Sequence, residues 1–199
     1  MLRFFGDWTW ATPQDVVALR SMLSVGVHAL GSTQRNGGLP DSQFVVWLNQ
    51  AQWAHRLPEW LLGSELVSRV DAQTTGDRLL GIEKFSVGGM RTVRGYVENQ
   101  YVRDSGLVAS VELRVPVLRD GHGRPMVELV PFSDFGRSWD AGAGADVATI
   151  GSVGAGIRLS PWSWLRGELY WGYRLHHVPK IGSDIQNDGI SFELRVTPF

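Results

Sequence analysis

The feature that most limits what this chain can become is a period-two alternation of apolar and polar residues, sustained over unusually long segments. In LRGELYWGYRL, Leu165, Gly167, Leu169, Trp171, Tyr173 and Leu175 fall on one face, with Arg166, Glu168, Tyr170, Gly172 and Arg174 on the other. LVASVELRVPVL sets Leu107, Ala109, Val111, Leu113, Val115 and Val117 against Ser110, Glu112 and Arg114. About eight such segments can be drawn, near 16–30, 42–56, 64–74, 106–117, 125–137, 147–159, 164–176 and 189–198. In FVVWLNQAQWAH the two faces cannot be assigned from the pattern. Globular strands are commonly about 5–6 residues long. These segments match instead the roughly 9–11 residues of a tilted membrane-spanning strand.

The connections between segments also alternate in character. RLPEWLLG, RDGHGRP and SPWSW are short and turn-like, whereas GSTQRNGGLPD, GRSWDAGAGAD and HVPKIGSDIQND are longer and more polar. The stretch from about Thr75 to Asp104 is the longest. Short turns at one end and long loops at the other is the layout of an outer-membrane barrel. Alternation alone does not distinguish such a barrel from a soluble sheet, whose faces carry the reverse assignment. Strand length, loop asymmetry and aromatic rings near strand ends (Trp47, Trp53, Trp139, Trp162, Trp164, Trp171 and Tyr173) favour the membrane version, because indole and phenol rings prefer the headgroup level.

Composition closes off several function classes. With 19 basic and 20 acidic residues the chain has no diffuse cationic face, so no nucleic-acid partner is expected. It has no cysteine, which excludes a disulfide framework and a thiolate metal site. Adjacent residues of a strand point to opposite faces and no third ligand lies near His176-His177, so these read as loop or strand-end histidines and no metal site is expected there. GSVGAGIRL has nucleotide-loop-like glycines but no lysine in the phosphate-binding place, and no G-x-S-x-G occurs. No catalytic residue and no cofactor are implied. Carboxylates such as Glu112 and Glu128 are read as balancing Arg114, Arg158 and Arg166 on an inner wall. No apolar run reaches the roughly 20 residues of a membrane helix, and MLRFFGDWTWATPQD lacks the apolar core and cleavage site of a signal peptide.

FSVGGMRTVRGYVENQYVRDSGLVASVELRVPV holds a VRGY tetrad at Val93, Arg94, Gly95 and Tyr96, preceded by Gly88-Gly89. A strand with Glu112-Leu113-Arg114 follows it, and then PFSDFG, reading F-x-D-x-G at Phe132, Asp134 and Gly136. In this combination the chain resembles two-partner secretion transporters, the ShlB/FhaC/HecB haemolysin secretion/activation family, and the likeness runs through most of its length. The resemblance implies an all-β fold, an antiparallel transmembrane β-barrel of which this chain is the C-terminal half, about eight strands of a 16-stranded barrel. Such a half should stand as an open curved sheet by itself, with residues 1–199 as one part of the barrel domain and a long in-folded loop near 75–104. The terminal Phe199 matches the phenylalanine in which outer-membrane barrels commonly end, although it is out of phase with the apolar residues at 190, 192, 194 and 196.

The resemblance further implies that the loop's arginine meets the aspartate of F-x-D-x-G on the inner wall. Elementary electrostatics agrees. An arginine carried into a narrow lumen stays charged and needs a carboxylate there. Asp134 shares a face with Glu128, Phe132 and Gly136; Gly95 lets the backbone turn, and Gly136 is expected to leave room for the guanidinium. The implied function is transport across the outer membrane of an exported haemolysin- or haemagglutinin-type partner polypeptide, in contact with outer-membrane lipid and without a chemical step. The signal peptide, the periplasmic capture domains and the N-terminal barrel half of such a transporter are not represented, so the chain reads as a fragment. A barrel-assembly or insertase member of the same superfamily, or the barrel of an outer-membrane enzyme, is the alternative.

Overall fold

Alternation is realised as one sheet. The structure, a computed structural model, describes residues 1–27, 42–142, 144–179 and 184–197. Its strands are β1 Leu2–Ala11, β2 Asp15–Val25, β3 Val45–Arg56, β4 Glu65–Thr75, β5 Phe85–Val87, β6 Tyr101–Arg103, β7 Ser105–Arg119, β8 Pro125–Trp139, β9 Val147–Trp162, β10 Leu165–Arg174 and β11 Ile190–Val196. All but β5 and β6 join a single sheet in the order β1-β2-β3-β4-β7-β8-β9-β10-β11, each long strand antiparallel to the next. The outermost strands, β1 and β11, do not pair with each other, so the sheet is open. The loop 31–41, His28, and the terminal Pro198 and Phe199 lie outside the described residues.

Nine strands stand where about eight were expected, the addition being β1. Leu2, Phe4, Trp8 and Trp10 of β1 lie opposite Val25, Leu23, Leu19 and Val17 and share their face. Arg3, Asp7 and Thr9 take the other. Phe5 on the polar face and Gly6 on the apolar face spoil the alternation there. In β3 the pattern was obscured in the same way. Leu48 points inward and packs on a buried cluster, while its neighbour Asn49 lies on the outward face with Trp47 and Trp53.

One face of the sheet is apolar and uncovered. Phe4, Leu19, Val70, Leu169, Phe192 and Leu194 are all exposed upon it. Such a surface is far too apolar for a monomer in water and suits a wall bathed in hydrocarbon. The opposite face carries the charge, much of it paired: across strands Arg20 with Asp7, Arg114 with Glu65 and Arg158 with Glu168, and along a strand Arg114 with Glu112 and Arg166 with Glu168. Glu168 thus takes the place expected for Glu128, which lies opposite Arg158 in the β8–β9 pair. Tryptophans gather toward the short-turn end, where Trp162 and Trp164 stack with centroids 5.2 Å apart and Trp60 stands exposed between β3 and β4. Near the same end the Trp53 indole donates to Asp15.

The packed interior does not lie within the sheet but between its charged face and the connection from β4 to β7. That connection enters over buried Leu79, passes through β5, turns sharply, and returns through β6, which pairs with β5. Phe85, Val87, Val93 and Tyr96 of the connection pack with Val108 and Ile150 of the wall. The apolar residues of this excursion therefore supply a core that the wall lacks by itself.

Candidate functional site: the in-folded loop and its seat

The turn between β5 and β6 is built from local hydrogen bonds. Gly88 and Gly89 both have positive φ, 109° and 106°. Gly88 N–H donates to Thr92 Oγ1, and Met90 N–H to the Glu98 carboxylate at 2.8 Å. This knot presents Val93, Arg94, Gly95 and Tyr96 to the wall in succession.

Val93 is fully buried against Val87 and Ile150. Arg94 is buried as well, with every side-chain nitrogen bonded. Its Nε and Nη2 donate to the two oxygens of Asp134, both at 2.8 Å, and its backbone N–H donates to the same carboxylate at 2.9 Å. Nη1 donates to Glu112 at 2.8 Å and Nη2 to Ser110 Oγ at 3.0 Å. Ser110 in turn donates to Asp134 at 2.6 Å. The guanidinium carbon lies 3.7 Å from the Phe132 ring centroid and 4.9 Å from that of Tyr170. A two-pronged ion pair laid on an aromatic face is a use of arginine that lysine does not reproduce. Because the pair is desolvated, removing Arg94 would leave Asp134 an uncompensated buried charge, and removing Asp134 would leave Arg94 leaning on Glu112.

Gly95 has φ of 93°, and a Cβ there would stand 2.7 Å from the Gly172 carbonyl oxygen. Tyr96 is buried, and its hydroxyl lies 3.0 Å from the carbonyl oxygens of Gly151 and His176 and accepts the His176 N–H at 3.2 Å. Gly136 has a different task from the one expected of it. A Cβ at this position would meet Val87 at 2.4 Å and Val93 at 2.8 Å, so the missing side chain makes room for the loop's valines and not for the guanidinium. All seven motif residues, Val93, Arg94, Gly95, Tyr96, Phe132, Asp134 and Gly136, therefore meet in one place. Beside them a cavity of about 220 Å³ opens between the loop and the wall, lined by Glu112, Arg114, Arg158, Glu168 and Tyr170 among others.

The motifs leave out the loop's foundation. Buried Asp104 accepts the Leu79 and Ala141 N–H groups and pairs with Lys84 at 3.1 Å. Lys84 also reaches Asp140, which Arg103 holds at 2.8 Å. Burial works against the Lys84 ammonium, but Asp104 and Asp140 outweigh it and raise its pKa above the usual lysine value. Burial likewise opposes the Asp140 carboxylate, and Lys84 with Arg103 overcomes this and pulls its pKa below the usual range. The loop also touches both outer strands, through Glu83 with Arg3 of β1 and Arg91 with Glu193 of β11.

A wall apolar outside and charged within, carrying one long loop folded against its inner face, defines a transmembrane β-barrel of the outer-membrane kind. Comparison with known proteins agrees. The family described as haemolysin secretion/activation protein ShlB/FhaC/HecB matches residues 8–159. The chain belongs to this family, whose members are outer-membrane transporters of Gram-negative bacteria. It is 29% identical over 158 residues to the outer membrane transporter CdiB of Escherichia coli O6:K15:H31, a match covering 69% of this chain and 26% of that protein. In structure it is similar to CdiB from Escherichia coli, with a TM-score of 0.71 over 96% of this chain and 34% of the other, at 21% identity. The chain thus spans about a quarter to a third of the length of these relatives.

Proposed function

We propose that this chain is the C-terminal part of a barrel through which a two-partner secretion transporter exports a haemolysin- or haemagglutinin-type polypeptide across the outer membrane. In this reading β1 and β11 pair with further strands of the same transporter, completing a 16-stranded wall. The unpaired edges support it, since lipid does not tolerate a row of free backbone groups. The work is conduction, not chemistry: the inner face offers polar, internally paired side chains, and the loop from Thr75 to Asp104 occupies the conduit.

The single observation that carries the proposal is the buried bond set between Arg94 and Asp134. It fixes the loop tip deep against the wall, where a loop serving only the cell surface would have no reason to be. Arg94 is the latch, Asp134 its seat, and Phe132 the face on which the guanidinium rests.

The test is secretion of a co-expressed haemolysin-type partner by cells carrying the complete transporter. Asp134→Asn should cut the partner recovered from the medium at least tenfold while the transporter stays at normal abundance in the outer membrane. Undiminished secretion at normal abundance would refute the latch.

A further inference from the structure

The Arg94–Asp134 bond accounts for one end of the loop's contact with the wall. Antiparallel register carries Asp134 to Ser152 of β9 and Ser152 to Arg174 of β10, so Asp134 and Arg174 lie in one row on the inner face. In the other direction the row continues through Ser110 to Arg69. The loop follows it. Arg69 donates to the Arg91 carbonyl, Asp134 and Ser110 take Arg94, and Arg174 Nε donates to the Gly95 carbonyl.

At Arg174 the polarity of the contact is reversed. At Asp134 the loop brings the cation and the wall the anion; at Arg174 the wall brings the cation and the loop a carbonyl. Arg174 does more than hold Gly95. Its Nη2 donates at 2.8 Å to the carbonyl of Gln186, in the short helical turn Ile185–Asp188 before β11, and its guanidinium lies 5.3 Å from the Tyr96 ring centroid. The Gln186 side chain then accepts the Glu98 N–H at 3.1 Å. The backbones also touch, because a Cβ on Gly172 would stand 2.8 Å from Gly95 atoms, and the Gly172 N–H donates to Gly189.

We infer that Arg174 is a positioning residue of the wall strand β10 that holds the 184–189 turn and the loop tip side by side, so that the turn is part of the loop's seat. The inference rests on the reading that the loop occupies a conduit. It adds that the loop's seat includes a second segment more than 80 residues further along the chain, held beside the loop tip by Arg174 bridging two carbonyls and by the Gln186 side chain. In this arrangement the Asp134 bond fixes the loop tip on β8, and Arg174 fixes its distance from the turn.

Because the chain has no cysteine, two introduced thiols report without background. Val97→Cys with Ile185→Cys, in outer membranes of cells expressing the complete transporter with any cysteine outside these 199 residues replaced by serine, would be treated with a short bismaleimide and the linked fraction measured. Adding Arg174→Ala should lower linking at least fivefold. Arg174→Lys, which can reach one carbonyl but not both, should fall between. Asp134→Asn should leave linking within about twofold, since Arg174 still holds both the Gly95 and Gln186 carbonyls. Unchanged linking in Arg174→Ala overturns the inference, as does a loss in Asp134→Asn equal to that in Arg174→Ala. If Arg174→Ala is absent from the membrane, Arg174→Lys decides: a partial loss supports the coupling and full linking overturns it. Secretion by Asp134→Asn tests the conduit reading separately.

Discussion

Asp134 binds both the backbone N–H and the guanidinium of Arg94, so a single carboxylate fixes the position of the loop's main chain and the direction of its side chain together. Neutralising it removes more than one ion pair. Glu112 remains within reach of Nη1, which limits the damage. Asp134→Asn should loosen the loop by about 3 kcal/mol, or about a hundredfold in its open population. Limited trypsin cleavage after Arg91 and Arg94 in isolated outer membranes measures this, and cleavage at the native rate would contradict it.

Gly136 and Gly167 form a controlled pair. A Cβ at Gly136 would press into Val87 and Val93, both buried, whereas at Gly167 the nearest atoms stand 3.8 Å away. Gly136→Ala should therefore weaken loop docking by about 1–3 kcal/mol through overpacking. Gly167→Ala should change it by less than about 0.5 kcal/mol. Protease protection of the loop compares the two, and equal effects would mean the loop does not rest on β8.

The foundation of the loop should respond to pH at both extremes. Asp140 has a folded pKa below its unfolded one, so its contribution is present above the unfolded value and fades as pH falls through the lower, folded value. Lys84 has a raised folded pKa, so its contribution is present below the unfolded value and fades as pH rises through the higher one. The bonds around Asp104 should be tightest between about pH 4 and pH 10. Hydrogen exchange at Leu79 and Ala141, whose N–H groups both end on Asp104, should quicken outside that window. With Lys84→Met the alkaline limb should disappear.

Depth in the bilayer supplies a test of the outward face. Leu169 is exposed midway along β10, and Tyr173 is exposed near its loop end. Leu169→Arg should destabilise the inserted protein by about 2–4 kcal/mol and Tyr173→Arg by about 1 kcal/mol or less. Urea titration in vesicles would read the difference, and the reverse order would misplace the wall in the membrane.

Most of the wall was legible because period-two alternation needs only neighbours in sequence. Inward Glu168, Tyr170 and Arg174 and outward Leu169, Trp171 and Tyr173 follow directly from parity. The strand β1 escaped because Phe5 and Gly6 reverse the code for two residues in a row, and β3 resisted because Leu48 and Asn49 do the same. Arg94 and Asp134 stood out as opposite charges inside two recognisable motifs. The partners of Arg174 are main-chain carbonyls at Gly95 and Gln186, and a carbonyl leaves no mark in a sequence. The role of Gly136 was misread for a similar reason: what fills its space, Val87 and Val93, comes from a segment whose path the wall's own pattern does not encode.

The greasy seam between loop and wall limits how the passage can open. Driving Phe85, Val87, Val93 and Tyr96 off the strands would wet four side chains at roughly 1.5–3 kcal/mol each, on the order of 10 kcal/mol altogether. Thermal agitation alone would leave the emptied arrangement rarer than about one molecule in a million. If the loop occupies a conduit as proposed, a travelling polypeptide must lend its own oily residues to the vacated berths, and its sequence becomes part of the key.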